Sequence, residues 1–79
     1  MSTHDKIVSL LTQWDTKQAK RDKHHNRQFL GIALASLAWA EEDYPGADAK
    51  EVVRAAFNGR CAAFILNGLG IAFTPDEIA

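Results

Sequence analysis

The chain contains 79 residues, of which nine are Lys or Arg and ten are Asp or Glu, giving a formal net charge of −1. This length predicts a single domain, residues 1–79, near the size at which burial alone gives marginal stability and a metal, disulfides or oligomerisation often contribute. The only cysteine, Cys61, excludes a disulfide within the chain, and the near-balance of charge favours no class of partner.

The cytoplasm is the expected location. The N-terminal residues MSTHDK contain no apolar segment of the kind found in a signal peptide, and a lone thiol is typical of a reducing compartment. The longest apolar run, residues 29–40, has twelve residues, whereas a membrane-spanning helix needs about 20. We therefore expect a soluble protein without a membrane partner.

A first helix is predicted over residues 3–23. Ser2 or Thr3 is suited to cap it, and Asp5 lies favourably in its first turn. Large apolar residues then follow helical spacing at Ile7, Leu10, Leu11 and Trp14. Beyond residue 15 this signal stops, but neither Gly nor Pro intervenes, which predicts that the second half of the helix is solvated.

A turn is predicted at His24, His25 and Asn26, with Asn26 capping the helix that follows. The alternative is one unbroken helix over residues 3–42, because only Asn26 and the low helix propensity of the paired histidines oppose it. The sequence leaves both interpretations open.

The second predicted helix, residues 27–43, is apolar on every side. Its large side chains form two opposite stripes, Leu30, Leu34 and Leu37 on one and Phe29, Ile32 and Trp39 on the other. Such a helix has to be covered all round, so we expect it to lie inside a bundle or at a subunit interface. The tripeptide Tyr-Pro-Gly at 44–46 signals its end.

A third helix is predicted over residues 48–67, opened by Asp48 and Glu51 as a capping box. The dipeptide Asn-Gly at 58–59 is a possible break within it. We favour a continuous helix, because Asn-Gly-Leu at 67–69 is a stronger C-terminal signal, with Gly68 at the position after the helix.

The remaining tail begins with an apolar stretch, residues 69–73, which is too short for a helix and is expected to fold back over the bundle. Thr74, Pro75 and Glu77 then have the spacing of a helix start, of which at most a single turn can form. Matched helices joined by short loops predict an all-α fold, a small antiparallel three-helix bundle with helices at about 3–23, 27–43 and 48–67.

No group of residues has the spacing of a catalytic or metal site. His24 and His25 are adjacent, so on a helix they point about 100° apart, and neither CxxC nor HxxxH occurs. Exposed histidines in a polar turn are the favoured interpretation. Cys61 lies in an apolar context without a local base, which is typical of a buried, inert thiol. We therefore expect no enzymatic activity and no metal or other cofactor.

The charged residues are segregated along the chain. Five carboxylates form an acidic pole: Glu41, Glu42, Asp43, Asp48 and Glu51. By analogy, small helical chains with polarised charge and no catalytic site are typical of accessory proteins, including those of phages and mobile elements. We predict a non-catalytic protein-binding protein, an adaptor, regulator or inhibitor, whose acidic pole occupies a basic site such as that of a nucleic-acid-binding partner.

The alternative function is nucleic-acid binding through the basic segment 17–27. Its candidate residues are Lys17, Lys20, Arg21, Lys23 and Arg27. No aromatic residue is interleaved with them for base stacking, and no DNA-binding motif surrounds them. A solvated basic face is therefore favoured over a nucleic-acid site.

Self-association is predicted because one short chain has too few helices to cover the second helix on both sides. We expect a symmetric homodimer through the second or third helix, with contacts from Phe29, Ile32, Trp39, Phe64 and Ile65. The alternatives are a face completed by another protein, or a well-packed monomer with Trp14 and Trp39 at its centre.

Overall fold

The computed structural model describes residues 2–25 and 27–78, and within them all regular secondary structure is helical, with no strand. Its elements are α1 Thr3–Arg21, α2 Phe29–Asp43, α3 Ala49–Ala56, α4 Gly59–Leu69 and a 3-10 turn, Pro75–Ile78. The predicted all-α class is confirmed. The predicted count of three helices is wrong, because the segment expected to form the third helix forms α3 and α4.

Local side-chain caps begin two of the helices at the predicted places. The Asp5 N–H donates to the Ser2 hydroxyl oxygen over 3.1 Å at the start of α1, and the Glu51 N–H donates to the Asp48 carboxylate over 2.9 Å at the start of α3. Each cap satisfies a backbone donor that has no partner within its helix. The sequence therefore predicted these two helix starts to within one residue.

The described residues between α1 and α2, 22–25 and 27–28, are not helical, so the unbroken helix over residues 3–42 is excluded. Helix α1 ends at Arg21, and Asp22 has extended backbone angles. The Asp22 carboxylate accepts a hydrogen bond of 2.9 Å from the His24 N–H, which closes a turn at the predicted position. Helix α2 begins at Phe29, two residues later than predicted. The predicted cap Asn26 lies outside the described residues.

Helices α1 and α2 pack antiparallel. His4 near the start of α1 contacts Glu41 in the last turn of α2, with 2.9 Å between the ring Nδ1 and the carboxylate. Carboxylates in the last turn of a helix oppose its dipole, but here the adjacent N-terminus of α1 presents the opposite end of a dipole. The acidic end of α2 is therefore partly compensated by α1.

The chain breaks between α3 and α4 at Phe57 and Asn58. Both residues have extended backbone angles, and Gly59 follows with φ +56°, a conformation in which glycine is favoured. Helix α3 packs mainly on α2, whereas α4 packs mainly on α1. A continuous helix over 48–67 would hold both halves on one line, and the break lets each half reach a different neighbour. The preference for a continuous helix was wrong for this reason.

The end of α4 is set by Gly70, which replaces the predicted Gly68. Gly70 has φ +74°, and the N–H groups of Gly70 and Ile71 donate to the carbonyls of Asn67 and Leu66 over 3.1 and 2.9 Å. This is the Schellman arrangement of a helix C-terminus. Gly68 lies within α4 against Leu10 of α1, where a Cβ atom would stand only 2.8 Å from Leu10 Cδ1. Its role is close helix packing.

The core is formed by apolar side chains from all four helices. Its buried members among the described residues are Ile7, Leu11, Ala33, Leu37, Ala40, Val52, Val53, Ala62, Ile65 and Leu66. Ile71 and Phe73 of the tail are half-buried against this cluster, as is Leu69 at the end of α4, so the predicted folding back of the tail is confirmed. No described helix is both long enough and apolar enough to cross a bilayer.

The 3-10 turn ties the C-terminus to α3. The Thr74 N–H donates to the Glu77 carboxylate over 2.9 Å, as the predicted single turn requires. Glu77 also pairs with Lys50, and the Arg54 Nε–H donates to the Glu77 backbone carbonyl over 2.7 Å. The hydrogen bond from Lys50, followed by that from Thr74, lowers the pKa of Glu77 to about 2.

Helix α2 is covered on one side only. Ala33, Leu37 and Ala40 are buried, and the Leu30 and Leu34 side chains are half-buried. On the opposite side Ile32 is 58% exposed and Trp39 is 48% exposed. The expectation that α2 is covered all round is therefore wrong for the single chain, because its neighbours pack on the leucine stripe. A monomer with both tryptophans at its centre is also excluded, since Trp14 is only half-buried.

Candidate interaction surfaces

The outer face of α2 is the first candidate surface, and we define it as Ile32, Trp39, Glu42, Asp43 and Tyr44. The first four recur at helical spacings of three, four or seven residues, which places them on one side of α2. The Tyr44 ring, 51% exposed, packs edge-on against Trp39, with 6.0 Å between ring centroids and an interplanar angle of 89°. This face presents apolar side chains in its middle and carboxylates at one end.

The apolar part of the outer face is modest in area. Three large side chains of about 200 Å² each, each about half exposed, amount to roughly 300 Å². That is at the lower end of the largest apolar patch found on ordinary monomers, about 300–600 Å². Area alone therefore does not distinguish this surface, whereas the exposed aromatic pair and the adjacent carboxylates do.

The five residues of the predicted acidic pole have different roles. Glu41 contacts His4, and the Asp48 carboxylate caps α3. Glu42 and Asp43 are exposed on the outer face, and no basic group among the described residues lies within ion-pair distance of either. Glu51 is exposed beside Tyr44 in a shallow cleft. The pole therefore offers Glu42, Asp43 and Glu51 to a partner.

The residues predicted for self-association do not form one surface. Ile65 is fully buried in the core, so its side chain cannot contact a second copy, and that prediction is wrong. Phe29 is half-buried, with its ring 5.9 Å from that of His25, and Phe64 packs on Trp14. Ile32 and Trp39 alone among the five lie exposed together.

A second candidate surface, the basic cleft, lies between α1 and α4. It has a volume of about 390 Å³ and is lined by Trp14, Lys17, Gln18, Lys20, Arg21 and Phe64. Its basic members come from the predicted nucleic-acid-binding set. The other two members of that set, Lys23 and Arg27, are exposed in the loop after α1, outside the cleft.

Aromatic rings form part of the basic cleft. The Trp14 and Phe64 rings lie 5.4 Å apart at an interplanar angle of 46°, and the Lys17 Nζ lies 4.9 Å from the centroid of the Phe64 ring. The sequence showed no aromatic residue within the basic segment because Phe64 belongs to α4, and no signal in the sequence places that helix beside Lys17. The expectation that these basic residues have no aromatic ring beside them is therefore wrong for Lys17.

The two adjacent histidines have separate environments, and one of them is not an exposed residue. The His25 Nε2 lies 2.7 Å from the Asp15 Oδ1, and the His25 side chain is largely buried. This contact ties the loop to α1 across ten residues, a spacing that carries no sequence signal. The Asp22 carboxylate, three residues before His25 in the chain, accepts a hydrogen bond from the His24 backbone N–H.

Two further sites have the residue types used in chemistry. A recess of about 420 Å³ contains His4, Glu41 and Asp48, of which the first two contact each other and the third caps α3. Burial raises the pKa of the half-buried Cys61 thiol to about 11, which keeps it protonated at neutral pH. Among the described residues, no three His, Cys, Asp or Glu side chains are grouped as metal ligands.

Comparisons of the chain with protein-family models, with curated proteins and with solved structures give no match.

Proposed function

We propose that this chain is a non-catalytic protein-binding protein, an adaptor, regulator or inhibitor, that presents the outer face of α2 to a different protein. The observation that carries the proposal is the exposure of Ile32, Trp39 and Tyr44 beside the carboxylates of Glu42 and Asp43, which form no ion pair with any described residue. A cytoplasmic location, expected from the lone cysteine, belongs to the same proposal.

The residue types of the outer face favour a protein partner. Tryptophan and tyrosine dominate the binding energy of protein interfaces when they fill a pocket and are shielded from water. Here Tyr44 holds the Trp39 ring from one edge, which lowers the entropy lost when Trp39 enters such a pocket. Charged residues at the rim mainly set the association rate and the choice of partner.

The partner should combine an apolar groove with basic residues at one end of it. Glu42 and Asp43 lie one turn beyond Trp39, at the C-terminal end of α2, where the helix dipole adds to their negative potential. A basic site that ordinarily binds a nucleic-acid backbone has the matching charge, so the inhibitor form of the proposal is occupation of such a site.

The test is capture of partners from the source cell, followed by binding measurements with the purified partner. Trp39→Ser should weaken binding by about 30-fold or more, as expected for an aromatic hot spot worth about 2 kcal/mol. Glu42→Lys with Asp43→Lys should reduce the association rate and its salt dependence. Asp76→Lys, an exposed carboxylate outside the outer face, is the control. Equal binding of the partner to the unsubstituted chain, to the Trp39 variant and to the double variant contradicts the proposal.

A homodimer through the same face is the second candidate, favoured by the self-complementary placement of its residues. Ile32 lies four residues before the middle of α2 and Trp39 three residues after it, so two antiparallel copies related by a two-fold axis would bring Ile32 of each close to Trp39 of the other. Arg27 of each copy then lies near the carboxylates of the other. Sedimentation of a dimer that Ile32→Lys converts to a monomer would establish this assembly, whereas a monomer at high concentration would exclude it.

A further inference from the structure

We propose that the basic cleft binds an aromatic base that carries a phosphate, the chemistry shared by single-stranded nucleic acid and free nucleotides. This goes beyond the protein-binding function, because the cleft lies between α1 and α4 and contains no residue of the α2 outer face. The proposal depends on two kinds of group that the fold brings together, which are unpaired cations and aromatic rings.

The cations of the cleft are Lys17, Lys20 and Arg21, and all three are exposed on α1. Lys20 and Arg21 lie three and four residues after Lys17 on α1, so all three lie on one face of the helix. Among the described residues no carboxylate lies within ion-pair distance of any of the three. Two acidic residues flank these cations in the chain: Asp15 contacts His25, and the Asp22 carboxylate accepts a hydrogen bond from the His24 N–H. The cleft therefore keeps its full positive charge for an anionic ligand.

The aromatic rings supply a surface for a planar base. Trp14 and Phe64 are half-buried and line the cleft, and their ring planes are tilted by 46° to each other. Lys17 lies over Phe64, so a cation and a ring face are already adjacent before any ligand binds. Stacking on an aromatic side chain accepts any base, which favours binding without sequence preference.

The combination identifies the ligand class more narrowly than either group alone. An inorganic phosphate or an acidic peptide would use the cations and leave the rings uncovered, whereas an apolar ligand would leave the cations without counter-charges. A volume of about 390 Å³ falls within the range of small-molecule sites, about 300–1,000 Å³. Lys23 and Arg27 are exposed in the loop beyond the cleft, where the backbone of a longer strand would continue.

Fluorescence of Trp14 provides a direct test. The chain has two tryptophans, so Trp39→Phe leaves Trp14 as the only one and places the reporter within the cleft. The probes are a short oligothymidylate, thymidine monophosphate, inorganic phosphate and an oligoglutamate peptide, each titrated at low salt. We expect the oligothymidylate to quench Trp14, with an affinity that falls steeply as salt is added.

Variants separate the two contributions. Phe64→Leu should weaken oligothymidylate binding by about 5- to 150-fold, the range expected for one lost stacking contact. Lys17→Ala and Arg21→Ala should each lower the slope of log affinity against log salt by about 0.7. Lys6→Ala, an exposed lysine at the other end of α1, is the control and should leave affinity unchanged. Circular dichroism confirms that each variant is folded.

The relative affinities of the probes identify the source of the ligand, and three results would overturn the proposal. Equal affinity for thymidine monophosphate and the oligothymidylate identifies a free nucleotide as the ligand, whereas much tighter binding of the strand identifies single-stranded nucleic acid. Binding of oligoglutamate as tight as that of the oligothymidylate, or insensitivity to Phe64→Leu in a folded variant, overturns the proposal. So does the absence of any quenching at low salt.

Discussion

The orientation of α2 determines both the core and the proposed protein-binding surface, and one pair of substitutions tests it. Leu37 is fully buried, whereas Ile32, on the same helix and of the same size, is 58% exposed. Replacing either residue by Ala removes three carbons, worth about 0.8 kcal/mol each when fully buried. At Leu37 the cavity left behind raises the expected loss to about 3–5 kcal/mol.

At Ile32 the same change should cost little. Its remaining buried fraction reduces the transfer free energy to about 1 kcal/mol, no closed cavity forms, and the higher helix propensity of Ala offsets about 0.4 kcal/mol. We therefore expect Ile32→Ala to lower the free energy of unfolding by about 0.5 kcal/mol. The difference between the two variants is a substantial fraction of the total stability of a 79-residue domain, about 4–12 kcal/mol.

Urea unfolding followed by circular dichroism measures the difference. With a denaturant slope of about 1 kcal/mol/M, Leu37→Ala should move the midpoint by about 3 M or leave the chain unfolded, and Ile32→Ala by about 0.5 M. Equal losses would refute the orientation of α2 described above. A large loss for Ile32→Ala, together with a midpoint that rises with protein concentration, would instead show that a second copy covers the outer face.

Three further predictions follow from local geometry. Gly59→Ala should destabilise the chain by about 1 kcal/mol because φ is +56° there. Gly31→Ala, within α2 and with open space around it, should instead stabilise the chain by about 0.5–1 kcal/mol. If Gly59→Ala proved stabilising in the same urea titration, a continuous helix would be indicated. The pKa of Glu77 is about 2 against an ordinary 4.5, so its contribution to stability is present above about pH 4.5 and is lost as pH falls toward 2. The stability of Glu77→Gln should therefore fall less between pH 4.5 and pH 2 than that of the unsubstituted chain, and an equal fall in both proteins would contradict this. With a pKa of about 11, Cys61 should carry about 100-fold less thiolate at pH 8 than a thiol with the ordinary pKa of 9. Alkylation by iodoacetamide should therefore be slow in the folded chain and fast in urea. Equal rates would show that burial does not protect the thiol.

The features that the sequence predicted well are those set by a few neighbouring residues. Ser2 and Asp48 cap their helices, α2 ends at Asp43, and Thr74 with Glu77 forms a single turn. Each depends on hydrogen bonds within four residues, so its pattern is visible in the chain itself. The all-α class follows from the same local signals.

The features that were wrong or missed depend on which helices become neighbours. The sequence showed Asn58-Gly59 as a possible break, but whether the helix breaks there depends on α3 and α4 packing against different helices. Ile65 was predicted to contribute to self-association, but the packing of α4 buries its side chain in the core. The contact of Phe64 with Lys17 and that of His25 with Asp15 join distant segments, and periodicity within one segment contains no information about them.

The two proposed surfaces are separate enough to act independently. Because His4 lies beside Glu41 and the helices are antiparallel, Trp39 is level with about Lys6 of α1, and Lys17 lies roughly 16 Å further along that helix at 1.5 Å per residue. Sites more than about 7–10 Å apart without shared contacts usually contribute additively. A ligand in the basic cleft therefore leaves the outer face of α2 open, and the opposite charges of the two surfaces direct ligands of opposite charge to opposite ends of α1.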